Sequence, residues 1–101
     1  MDGLFSVENV IVENVKTNET RKLAANGCFI WVGVLPNTKF LGNSVEMDKA
    51  GFVVADSNMA TSVKGVFAIG DARTTPLRQV STTVGDGAIA AVSAEHYIEN
   101  I

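Results

Sequence analysis

The sequence predicts an α/β fold, built as a β-meander followed by a strand–loop–helix unit with a long C-terminal helix. Three observations predict it. A β-branched run, Val10-Ile11-Val12, opens the chain's ordered part. Short apolar runs then recur, each closed by Gly, Pro or Asp. Finally Val80, Val84, Ala88 and Ala91 repeat at helical spacing up to about Glu99. At 101 residues and 47% hydrophobic, the chain can build one modest core but not two independent domains.

In order, Asn9 to Val15 reads as a strand, Lys16 to Thr20 as a polar turn, and Arg21 to Ala24 as a returning strand. Cys28 to Leu35 is nearly continuous apolar sequence, the pattern of a strand buried on both faces. It closes at Pro36-Asn37-Thr38, where Pro favours extended backbone upstream. Asp48 to Gly51 is a turn before a short strand at Gly51 to Val54. Gly65 to Ile69 is another short buried strand, stopping at Gly70-Asp71. The last helix starts at Thr75-Pro76 or nearer Arg78. Gly85, Gly87, Ala88, Ala90, Ala91 and Ala94 line it with small residues. Two glycines in one turn cost helix stability, up to about 1 kcal/mol each relative to Ala, which suggests that something approaches the backbone there.

Composition excludes several roles. A formal charge of -3 and scattered Lys and Arg give no field for nucleic acid or anionic lipid. No apolar run reaches the length of a membrane span. The amino terminus lacks the pattern of a signal peptide, so a cytoplasmic location is expected. Cys28 is the sole cysteine and sits in an apolar run, as a small buried hydrophobe would. His96 has no second ligand at metal-binding spacing and reads as a solvated helix residue; no metal site is expected.

One constellation carries chemistry: strand, Gly70-Asp71, loop, Arg78-Gln79-Val80, helix. Parallel-sheet proteins bind ligands beyond the carboxyl ends of their strands. An Asp delivered there can accept hydrogen bonds from a ligand hydroxyl, and the Gly before it admits the ligand close to the backbone. The first helical turn adds unpaired N–H groups and the positive end of a dipole, suited to an electron-rich carbonyl. A flavin with its ribityl chain satisfies both requirements. The plainer reading is that Asp71 is a turn or capping residue and Arg78-Gln79 solvated surface.

Thr61 to Asp71 resembles the second FAD-binding motif of flavoproteins with two dinucleotide-binding domains. The continuation Ala72 to Val80, ending in Gly85-Asp86-Gly87-Ala88-Ile89-Ala90-Ala91, is similar to bacterial-type thioredoxin reductase. Cys28 to Thr38 resembles the segment in which that family's NADPH domain returns to its FAD domain. The resemblance implies an incomplete FAD/NAD(P)-binding, Rossmann-like fold. Residues 1–36 would end an NAD(P)H-binding domain, and residues 37–101 would form the carboxy-terminal part of an FAD-binding domain. It implies that Asp71 bonds a ribityl hydroxyl, that Gly70 permits the approach, that Gln79 and Val80 face the flavin pyrimidine edge, and that Arg78 borders the cofactor.

In that family, electrons pass from NADPH through FAD to a disulfide and on to thioredoxin. No Gly-x-Gly-x-x-Gly loop and no second cysteine occur here, so activity would depend on an amino-terminal remainder. A cofactor-free assembly module, or a piece of an alkyl hydroperoxide reductase flavin subunit or ferredoxin-NADP reductase, are the other readings. Unpaired strand edges predict self-association or a partner.

Overall fold

A computed structural model describes all 101 residues, which divide into two compact units, Met1–Gly33 and Val34–Ile101. The first is a two-stranded antiparallel hairpin. Strand β1 (Asn9–Glu13) pairs with β2 (Thr20–Ala24) in the register Asn9–Ala24 through Glu13–Thr20. Its turn follows from the sequence Asn14-Val15-Lys16-Thr17-Asn18. The Asn14 side chain accepts from Lys16 N–H (2.9 Å) and Thr17 N–H (3.3 Å). Asn18, a residue that tolerates the left-handed region, takes φ +59°. An ion pair, Lys22 Nζ to Asp2 Oδ2 at 3.1 Å, ties the amino terminus to β2.

The expected third strand is absent. Residues 28–35 form no strand, and Phe29, Trp31 and Val32 are 99%, 92% and 91% exposed. A strand buried on both faces needs ladder partners on its edges and layers over its faces. No segment of this chain supplies either. Cys28 is therefore exposed, not the buried hydrophobe its neighbours imply.

The second unit is held by loops around a small centre. Asp48 Oδ1 accepts from Ala50 N–H and Phe52 N–H, both at 2.9 Å, and Gly51 turns at φ +93°. Asp56 Oδ1 repeats the device, accepting from Asn58 N–H (2.8 Å) and Ala60 N–H (3.0 Å). The sequence predicts two short strands here, at Gly51 to Val54 and Gly65 to Ile69. Each is reduced to isolated bridges. Val53 bridges Met47 and, in parallel, Arg73, while Phe67 bridges Ala60. Val66 and Ile69 remain 46% and 43% exposed, because a buried parallel strand needs neighbours on both edges that these residues do not include. Val53 and Met59 are the buried apolar residues.

Helix α1 (Val80–Glu99) closes the chain, its start next to Arg78 matching the later of the two expected positions and not Thr75-Pro76. Thr75 Oγ1 instead lies 3.2 Å from the Leu77 carbonyl in a local turn. Gln79 is the N-cap, and its N–H donates to Thr82 Oγ1 at 3.1 Å. At the other end Asn100 Nδ2 donates to the His96 carbonyl at 2.7 Å, satisfying one of the carbonyls that a helix end leaves unpaired. The apolar stripe is in helical register, but none of α1 is buried, and Val80 and Val84 are 82% and 68% exposed. The helix is not long and apolar enough to cross a membrane.

Candidate functional site

The turn Gly70–Ala72 is a single 3-10 turn that follows extended Ile69 and packs on α1. Gly70 is buried at φ +71°, and an added Cβ would lie 3.0 Å from Thr83 Cγ2 and 3.2 Å from Thr83 Oγ1. Only glycine fits both the dihedral and the helix surface. Its N–H donates to Asp86 Oδ2 at 3.0 Å, so the strand exit is tied to the second turn of α1. Thr83 and Asp86, three apart, share one helix face.

Arg78 holds the same turn from its other side. Its Nε donates to the Asp71 carbonyl and its Nη2 to the Arg73 carbonyl, both at 3.1 Å. The guanidinium lies 3.8 Å from the centre of the Phe52 ring, a cation–π contact that fixes its plane. Arg78 thus acts on the backbone that carries Asp71. Gln79 and Val80, both exposed, form the cap and first residue of α1, where N–H groups lack helical acceptors.

The structure accordingly brings Gly70, Asp71 and Arg78 together at one end of α1, with Gln79 and Val80 opening that helix. The Asp71 side chain is exposed and takes part in neither ion pair of the chain. A free carboxylate beside the positive end of a helix matches a ligand carrying a hydroxyl donor next to carbonyl acceptors. The donor set fits a ribityl flavin.

Sequence reasoning missed Arg73, Thr83 and Asp86. Arg73 and Asp86 form an ion pair at 3.4 Å with side chains only 11% and 13% exposed. A charged residue just after an apolar strand requires a buried partner, and that was the available signal for Arg73. Asp86 lay hidden between two glycines whose own pattern drew attention. Gly85-Asp86-Gly87 falls inside α1, so those glycines form no phosphate loop. Gly85 has open space where a Cβ would stand, and Gly87 meets Ile69 Cδ1 at 3.9 Å.

A concavity of about 570 Å³ lies elsewhere, between Asp56–Phe67 and Ser93, His96 and Tyr97. Those helix residues sit roughly 20–25 Å along the axis from Val80 at 1.5 Å per residue. It is a gap at the far end of α1 and contains none of Gly70, Asp71, Arg78, Gln79 or Val80. His96 lies exposed on its rim, as the sequence suggested.

The pyridine nucleotide-disulphide oxidoreductase family model matches residues 5–90. The chain is 45% identical over 95% of its length to the 34.2 kDa protein in rubredoxin operon of Clostridium pasteurianum, covering 31% of that protein. It is 43% identical over 98% of its length to thioredoxin reductase of Treponema pallidum, covering 32%. The solved thioredoxin reductase of Streptococcus pyogenes superposes with a TM-score of 0.81 at 44% identity, over 99% of this chain and 33% of that one. The chain thus spans 31–33% of the length of these three proteins. The resemblance read from Thr61 to Ala91 is borne out, and the hairpin and long helix are part of a Rossmann-like FAD/NAD(P) fold. With its family match running from the hairpin unit through most of α1, the chain belongs to the pyridine nucleotide-disulphide oxidoreductases.

Proposed function

We propose that the chain is the carboxy-terminal part of a thioredoxin-reductase-like flavoprotein and forms one wall of its FAD site. The exposed Asp71 carboxylate, carried on a backbone tied to α1 through Gly70 and to Arg78 just before that helix, supports this most directly. Asp71 accepts from a ribityl hydroxyl. Gly70 keeps that turn pressed to the helix. The Gln79 and Val80 backbone faces the pyrimidine edge, with Val80 presenting its N–H while that of Gln79 is held by Thr82 Oγ1, and Arg78 borders the site through its stem while its donors hold the turn. Bound FAD supplies the ring that takes hydride from NADPH and passes electrons to a disulfide serving thioredoxin. No residue of this chain acts on the reacting atoms.

The pyrophosphate loops and the cysteine pair belong to an amino-terminal remainder, without which the chain is inactive. Residues 1–36 then end the NAD(P)H-binding domain and residues 37–101 continue the FAD-binding domain. The assembled enzyme works in the cytoplasm. One wall makes no enclosed pocket, and the concavity of about 570 Å³ lies elsewhere.

The decisive experiment replaces the matching third of the Streptococcus pyogenes thioredoxin reductase with this chain and titrates FAD. A yellow, FAD-saturable chimera is expected. Asp71→Asn should weaken FAD binding about 10- to 100-fold, the loss of a hydrogen bond to a charged group. A colourless, stably oligomeric chimera would instead favour a cofactor-free assembly module. FAD retention with reduction of an acceptor other than thioredoxin would favour an alkyl hydroperoxide reductase flavin subunit or a ferredoxin-NADP reductase.

A further inference from the structure

Beside the proposed flavin wall lies a buried pair that no contact with a ligand requires. Arg73 is 9% exposed, and its guanidinium reaches Asp86 Oδ2 through Nη1 at 3.4 Å, the long end of a hydrogen bond. Its Nε is buried with no partner. A buried ion pair so incompletely satisfied gains little stability over an apolar pair of the same volume. What the pair does accomplish is geometric. The same Oδ2 accepts from Gly70 N–H at 3.0 Å, so one oxygen joins the strand exit, the buried cation and α1. Gly70 in turn sits at φ +71° against Thr83, so the turn has one seat on α1.

We propose that Asp86 and Arg73 are positioning residues for Asp71. Asp86 anchors the N–H just ahead of Asp71, and Arg73 aligns Asp86. Arg78 holds the Asp71 carbonyl on the far side, so the Gly70-Asp71 pair is fixed at its two ends while the Asp71 carboxylate stays free. The inference rests on the flavin reading only for what Asp71 binds. The clamp itself is a property of this chain.

Two measurements test it. In the 101-residue chain, hydrogen exchange of the Gly70 amide should be slow and should accelerate at least about tenfold in Asp86→Ala. Asp86→Asn keeps an acceptor for Gly70 but leaves Arg73 unpaired, so protection should fall there and recover in Arg73→Met/Asp86→Asn. A Gly70 amide that is unprotected in the parent chain, or indifferent to Asp86→Ala, overturns the proposal.

In the chimera, Asp86→Ala should weaken FAD binding about tenfold when Asp71 is present and less than about twofold in an Asp71→Ala background. An equal loss in both backgrounds marks a merely structural role and overturns it. If the parent chimera takes no FAD, the flavin reading fails, and the amide experiment alone decides the clamp.

Discussion

Gly70 is the residue on which the site's backbone turns. At φ +71°, with Thr83 Cγ2 waiting 3.0 Å from any added Cβ, substitution meets two separate penalties. Gly70→Ala should lower stability by about 1–3 kcal/mol from the left-handed dihedral and the contact together. Thr83→Ala, by removing the contact alone, should restore part of that loss in a thermal-unfolding series and leave the dihedral part. The sequence announced Gly70 and Asp71 through their place at a strand exit, and Arg78-Gln79-Val80 through the helix start. It did not announce that Arg78 would work on the Asp71 and Arg73 carbonyls, because which acceptor a long, five-donor side chain reaches depends on how the loop folds back. Cys28 was misjudged for a related reason: its neighbours are apolar, but burial depends on what lies across from them.

Among the elements, the hairpin was the most legible. β1 and β2 fall within two residues of the Asn9–Val15 and Arg21–Ala24 runs, since alternation and a polar turn are local signals. The short bridges at Val53 and Phe67 were overestimated as strands, because ladder partners are not local. The hairpin unit also carries a displaced titration. Asp2 is held below the usual carboxylate value, first by the hydrogen bond from Lys22 and then by that residue's charge. A folded value lowered in this way contributes stability above pH roughly 4, and the contribution disappears as pH falls through the lowered value. The pair is exposed, so the effect is small and screened by salt. Amide protection of β1 and β2 should decline on acidification below that point, and Lys22→Gln should flatten the decline. A decline unchanged in Lys22→Gln would assign it to other carboxylates.

For the whole molecule, uncovered apolar surface is the informative feature. Phe29, Trp31 and Val32 in one unit, and Val80 and Val84 in the other, are all largely exposed. Apolar area left in water is what association buries. Sedimentation of the isolated chain should therefore show concentration-dependent association, and a compact, stable monomer would contradict this. The family was legible because the Thr61 to Ala91 block keeps its spacing, whereas the missing layers were legible only as apolar runs with nothing to pack on.

The uncovered stretch from Cys28 to Leu35 has a further consequence for how the polypeptide fares on its own. It is eight residues without charge or proline, rich in β-formers, which is the composition from which cross-β fibrils are recruited. Until something docks over it, refolding competes with fibre nucleation, and concentration decides the contest.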